Sequence, residues 1–143
     1  EQWVYRAEKN LGEKARSWPA RMGQDYYWLL IAKEDFIQKN SAAMERFLRA
    51  LVQAEEFVKE HKGEAQSLMA TRWNRESGFI EHEWEKNQYS VSLDQGLIIA
   101  LEGEADWRMK SNPDDKRAVP NYLRLIYMNA LDSVKLEANT IFR

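Results

Sequence analysis

The residues that come nearest to a catalytic pattern lie between Glu81 and Lys86, where a histidine stands among carboxylates. A helical zinc site of the His-Glu-x-x-His type needs a second histidine one turn after the first, on the same helix face. Lys86 occupies that position after His82 and Glu83, so the pattern is incomplete. The carboxylates of this region are therefore predicted to form a solvated helix face, made by Glu76, Glu81, Glu83 and Glu85.

Other kinds of catalytic chemistry find no support in the residues. The chain has no cysteine, which excludes thiolate catalysis, disulfides and cysteine-ligated zinc. It also has no glycine-rich phosphate loop and no Gly-x-Ser-x-Gly element. His61 stands at a predicted helix end, where a cation stabilises the helix dipole. The sequence thus predicts a protein that is not an enzyme and uses no cofactor and no metal.

Length and charge narrow the class of protein further. The 143 residues suit one domain, and 21 basic and 23 acidic residues are interspersed along the chain. Because no basic block is present, binding to nucleic acid is not expected. No run approaches the roughly 20 apolar residues that a transmembrane helix needs. The first residues also show no secretory leader.

Apolar periodicity and capping residues predict a chain that is mainly helical. Gly12 is expected to stop the first helix, because glycine tolerates the left-handed backbone that ends many helices. The predicted helices are Gln2 to Leu11, a long helix from Asn40 or Ser41 to Lys59, Glu64 to Trp73, one capped by Asn74, Asp94 to Met109, and a last one over 121–128 after Pro120.

One segment differs from all of these. Tyr26 to Ala32 is a continuous run of aromatic and aliphatic residues, which predicts a strand buried on both faces. Its β partners are expected to lie outside the segments that read as β in this chain. Tyr89 to Leu93 alternates apolar and polar residues, and either a short edge strand or an extended joint accounts for it.

Five stretches in order carry a resemblance to a known family. They are Trp3-Val-Tyr-Arg-Ala-Glu-Lys-Asn-Leu-Gly12, Gly23 to Ile37, Phe47-Leu-Arg-Ala-Leu-Val-Gln-Ala54, Tyr89-Ser-Val-Ser-Leu-Asp94, and the closing pair Val119-Pro-Asn-Tyr-Leu and Ala130-Leu-Asp-Ser-Val134. Together they resemble the C-terminal portion of the type II periplasmic substrate-binding proteins of ABC transporters. The branch most similar is the one that binds aliphatic sulfonates, nitrate and taurine, with its relatives that bind thiamine precursors.

The resemblance implies an α/β fold for the family, of which this chain would be a predominantly α-helical fragment with one or two strands. Residues 1–22 would end the second lobe and form a linker. Residues 23–143 would supply the strand that returns through the hinge and the helical C-terminal part of the first lobe. The implied function is periplasmic or extracytoplasmic capture of a small anionic or nitrogen-containing solute. The implied partners are that solute and the membrane subunits of an ABC permease.

The resemblance also points to candidate ligand-binding residues. Tyr26 and Tyr27 would lie near the hinge, where each offers a ring face or a hydroxyl. Glu1 would be the glutamate of the family's Trp-Glu-Pro element, with Gln2 in place of its proline, and Trp3 would begin the helix that follows this element. Arg21 is included because a guanidinium matches the geometry of a sulfonate or carboxylate.

Two other functions stay open beside this one. A stand-alone helical interaction or sensor module would require the apolar segment to pair with itself across a dimer or to be helical. An enzyme resembling thiamine-pyrimidine synthases fits least, because it needs histidines at a cofactor site and the chain has only His61 and His82. Under either of the first two hypotheses, exposed apolar faces are expected to drive the formation of homo-oligomers.

Overall fold

The computed structural model describes residues 2–18, 25–112, 114 and 117–142. Within these residues the chain is predominantly helical, which confirms the prediction made for the chain itself. The only β pairing in the described part is an isolated parallel bridge between Leu93 and Asn139. The α/β lobe implied by the resemblance therefore stays a prediction. The helices are α1 (Gln2–Leu11), α2 (Glu34–Lys39), α3 (Ser41–Glu60), α4 (Lys62–Trp73), α5 (Ser77–Trp84), α6 (Gln95–Ser111) and α7 (Asn129–Val134).

Helix ends that depend on local chemistry lie close to where the sequence predicts them. Gly12 follows α1 with a φ of +53°, in the left-handed region that glycine adopts without strain. A short 3₁₀ turn, Gly12–Lys14, continues from it. His61 separates α3 from α4, with a φ of −124° and a ψ of 48°.

Asn74 ends a helix and does not begin one, so its predicted role is wrong. It has a φ of 51° and a ψ of 54°, and its backbone N–H donates to the carbonyls of Ala70 and Thr71. Asparagine tolerates this left-handed conformation better than most residues, which is why it serves as a C-terminal cap here. The next helix, α5, begins three residues later at Ser77.

The chain divides into two compact units. The first unit comprises Glu1–Met22 with Gln53–Ser90. Its core lies around the α4–α5 pair and contains Ala65, Ala70, Ile80 and Trp84, all buried. Partly buried rings and methyl groups surround that core, namely Phe57, Val58, Met69, Phe79 and Tyr89. Ile80 and Trp84 of α5 thus face the interior of this unit.

The second unit comprises Gly23–Val52 with Val91–Arg143. A small core forms where Ile98 of α6 packs against Met128 and Ile141. The bridge at Leu93 lies at its side, where the Leu93 N–H donates to the Ala138 carbonyl at 2.9 Å. The helix predicted over 121–128 is wrong, because the structure has only the 3₁₀ turn Tyr122–Arg124 there and α7 begins at Asn129.

The apolar segment 25–33 is neither helical nor paired as a strand with any described residue. Its burial, predicted from the sequence, is wrong for this chain: Trp28 is 97% exposed, Ile31 84% and Leu30 60%. The physical reason is that no described part of the chain provides a neighbouring strand or a covering layer. The segment is instead an exposed connection that leads into α2.

Candidate binding residues

Tyr27 is the candidate residue with the best-defined surroundings. Its hydroxyl donates to Asp94 Oδ1 at 3.2 Å. The same carboxylate oxygen accepts from the Leu97 backbone N–H at 3.0 Å and thereby caps α6, as the sequence predicts. Burial, followed by the negative charge of Asp94, raises the pKa of the Tyr27 phenol above its usual value. Through this hydrogen bond, Tyr27 connects segment 25–33 to the first turn of α6.

Gly96 makes this approach possible. A Cβ atom at this position would lie 2.7 Å from Tyr27 Oη and 3.0 Å from Asp94 Oδ1. Both distances are shorter than an ordinary van der Waals contact. A residue larger than glycine would therefore displace the tyrosine ring. Local sequence signals do not predict this contact, because Tyr27 lies 67 residues before Asp94 in the chain.

The first turn of α6 has little capacity left for an anionic ligand. The Asp94 carboxylate already lies at the positive end of the helix dipole and accepts from its backbone. Gln95 Oε1 is buried without a hydrogen-bond partner, but an amide oxygen accepts hydrogen bonds and would repel an anion. Tyr26 differs from Tyr27 in being 73% exposed. Its ring is therefore accessible from solvent.

Only one of the remaining three candidates lies among the described residues. Trp3 lies on α1, in the first unit, and is 76% exposed, with the Arg6 guanidinium 5.6 Å from its ring centroid. Glu1 and Arg21 lie outside the described residues. Of the three candidates that the structure describes, Tyr26 and Tyr27 thus lie in the second unit, where they are neighbours in sequence, and Trp3 lies in the first.

The histidine of the incomplete zinc pattern has structural neighbours. The His82 ring lies 5.3 Å from the ring of Tyr5, and its Nε2 atom is 2.7 Å from Lys86 Nζ and 3.9 Å from Glu8 Oε2. Glu8 and Tyr5 belong to α1, so these contacts join α1 to α5. No group of three or more histidine, aspartate or glutamate side chains in the described residues is placed to hold a metal.

Glu83 contradicts the prediction of a solvated carboxylate face. It is 8% exposed and accepts from Lys86 Nζ at 2.8 Å. Glu76 also has a partner, since Lys9 Nζ of α1 donates to its carboxylate at 2.7 Å. The pKa of Glu76 is lowered by this hydrogen bond and by the lysine charge. Part of the face therefore packs against the helix at the start of the chain.

Two surface clefts contain none of the candidate ligand residues. The second unit has a cleft of about 420 Å³ lined by Trp107, Arg108 and Tyr122, among others. The first unit has one of about 380 Å³ lined by Val58, Trp84 and Tyr89, among others. The lining of the cleft in the second unit also includes the charged residues Glu104 and Arg117, and that of the cleft in the first unit includes Lys59 and Lys62. No described helix is both long enough and apolar enough to span a membrane.

Comparisons of the chain with protein-family models, with curated proteins and with solved structures find no match.

Proposed function

We propose that this chain is the C-terminal part of an extracytoplasmic solute-binding protein, which captures a small anionic or nitrogen-containing solute and delivers it to an ABC permease. The proposal rests on the order of the five resembling stretches, which extend over nearly the whole sequence. One structural observation carries it: segment 25–33, which contains an uninterrupted apolar run, is neither helical nor paired with a described strand, and most of its large side chains are exposed. A strand designed for the centre of a sheet has that composition on both faces.

In this proposal the partner strands belong to parts of the full-length protein outside residues 1–143. The segment would then join the first lobe as a buried strand, and residues near its start would cross the hinge between lobes. Closure of two lobes around a solute requires such a hinge. The protein would bind and release its solute without covalent chemistry.

The two tyrosines have different surroundings, which supports a different proposed role for each. The hydroxyl of Tyr27 is already bonded to Asp94, so this residue is proposed to fix the strand against α6. The ring of Tyr26 is largely exposed and is proposed to contact the solute. Trp3 and Glu1 remain proposed contacts because of the resemblance, and Arg21 remains one because its guanidinium matches a sulfonate or carboxylate.

The test is a thermal-shift screen of the full-length protein with taurine, aliphatic sulfonates, nitrate and pyrimidines. At a concentration of about 100 times Kd, a ligand stabilises the folded protein by about 2.7 kcal/mol, which raises Tm by several degrees. Tyr26→Ala should weaken the shift, whereas Trp107→Ala, another exposed aromatic in the second unit, should not. Absence of any shift across all four classes of solute would contradict the proposal.

A helical interaction module is the second candidate function. The observation that favours it is the same exposed segment, since large contiguous apolar surfaces mark sites of association. The two candidates predict different results in the thermal-shift screen, because an interaction module has no small-molecule ligand to find.

A further inference from the structure

Segment 25–33 is neither helical nor paired with a described strand, so in an extended conformation it would present an open β edge. Within the described part of the chain, the backbone groups of residues 27–32 form no hydrogen bond, and Lys33 has the extended backbone that precedes α2, with a φ of −71° and a ψ of 144°. An unpaired extended segment offers its N–H and C=O groups to another chain. The only bond at its end is the one in which Lys33 O accepts from the Ile37 N–H at 3.0 Å.

Nothing in the segment protects this edge. Natural sheet edges are blunted by charges, proline or bulges, and residues 26–32 contain no charge, no proline and no glycine. Alternate side chains of an extended chain point to opposite faces. In an extended ladder Trp28 and Leu30 would share one face and Leu29 and Ile31 the other, and all four side chains are exposed. Pairing would therefore cover apolar surface on both faces.

The two charges that flank the segment indicate the partner. Asp25 stands at its start and Lys33 at its end, with Leu29 midway between them. If two copies pair in antiparallel orientation about Leu29, Asp25 of each copy lies opposite Lys33 of the other. Parallel pairing would instead place like charges opposite one another, which destabilises a sheet. The antiparallel arrangement is also the one that a two-fold symmetric dimer requires.

We infer that the 143-residue chain forms a symmetric dimer through an antiparallel ladder of segment 25–33, with its two-fold axis at Leu29 and Trp28 of each copy packed beside Leu30 of the other. The inference does not depend on the proposed function. In the full-length solute-binding protein, the same segment would be taken up by its sheet, so the experiments below use residues 1–143.

The first experiment is sedimentation of the wild-type chain and two lysine variants. We expect a concentration-dependent dimer for the wild type and a monomer for Trp28→Lys, because a lysine in the ladder face disrupts pairing. Ile99→Lys is the matched control, since Ile99 is an exposed aliphatic residue on α6, 64% exposed, and should leave the dimer intact. Circular dichroism checks that helix content is unchanged. A monomeric wild type, or a Trp28→Lys dimer of wild-type strength, would overturn the inference.

The second experiment tests the register by exchanging the flanking charges. Asp25→Lys and Lys33→Asp should each weaken the dimer, by about tenfold in Kd, because each places like charges opposite one another twice. The double variant Asp25→Lys/Lys33→Asp restores both pairs and should recover most of the loss. Additive weakening in the double variant would contradict the antiparallel register.

The third experiment uses the absence of cysteine from the natural chain. Leu29→Cys places one thiol on each side of the two-fold axis, where the facing Cα atoms of an antiparallel pair lie about 4.5–5.5 Å apart, within disulfide range. Mild oxidation should therefore yield a covalent dimer. Ile31→Cys, on the same face, places its two thiols too far apart and should not. Equal cross-linking of both variants would show that the axis is not at Leu29 and would overturn the inference.

Discussion

At the scale of single residues, the contact between Tyr27, Asp94 and Gly96 is the most specific feature of the second unit. One carboxylate oxygen accepts both from the phenol and from the first turn of α6. The glycine leaves the space that the phenol fills. The sequence predicts Asp94 as a cap because capping is local, but it does not predict that Tyr27 shares the same oxygen.

Gly96→Ala is expected to gain less stability than helix propensity alone would give. Alanine is favoured over glycine by about 0.8–1 kcal/mol inside a helix. The new Cβ atom would displace the Tyr27 hydroxyl and break its bond to Asp94, offsetting that gain. In a Tyr27→Phe background the clash is relieved, so the same substitution should be more favourable there. Urea unfolding of the four proteins gives the coupling free energy, and a value of zero would refute the contact.

We expect the stability of the first unit to fall at alkaline pH, because the Tyr89 phenol ionises there. Burial, and then the Glu83 charge, raise the pKa of its phenol. Its stabilising contribution is fully present below the unfolded-state pKa of about 10 and is lost as pH rises through the folded-state value. The pKa of Tyr27 in the second unit is also raised, so its ionisation should lower the stability of that unit at alkaline pH in the same way.

The measurement is urea unfolding at about pH 9 and about pH 11, which lie below and above the unfolded-state tyrosine pKa of about 10. Tyr89→Phe should lose less stability between the two values than the wild type does. An identical loss in both proteins would mean that Tyr89 ionises equally in the folded and unfolded states.

At the scale of elements, the sequence predicts what local chemistry decides. The end of α1 at Gly12 and the start of α6 after Asp94 follow from backbone conformation and capping. Asn74 is predicted to start a helix but ends α4, because asparagine can cap either end of a helix. The state of segment 25–33 could not be predicted from its own residues, because the burial of a strand depends on neighbours elsewhere.

The candidate site is less predictable than the helices. Tyr27 is placed by a contact with Asp94, 67 residues further along the chain. Glu83 is buried although Glu81 and Glu85 stand two residues away on either side, and its carboxylate pairs with Lys86. Such contacts arise from tertiary packing and leave no periodic signal.

Removal of the α6 cap should destabilise the helix as a unit. Asp94→Ala leaves the Leu97 N–H and the Tyr27 hydroxyl without their acceptor, and loss of an N-cap costs about 0.5–2 kcal/mol. Asp94→Asn is the matched control, because an asparagine oxygen accepts both bonds and caps as well as aspartate. Chemical unfolding should rank the wild type and Asp94→Asn together, above Asp94→Ala. Equal stability of all three would contradict the cap.

At the scale of the whole molecule, the described residues form only small cores. None of their large side chains is below 2% exposed, while Trp28, Ile31 and other apolar side chains are open to solvent. Burying a side chain of this size is worth about 1.5–3 kcal/mol, so association is favoured wherever a partner fits. The proposed sheet of a solute-binding lobe and the proposed dimer both supply such a partner to segment 25–33.

The most direct test of this account is amide hydrogen exchange over residues 26–32. It should be measured in the full-length protein and in the 143-residue chain diluted until it is monomeric. Slow exchange is expected in the full-length protein, because ladder hydrogen bonds protect the amides. Fast exchange is expected in the diluted chain, which has no ladder. Fast exchange over these residues in the full-length protein would contradict the claim that they form a strand of its sheet.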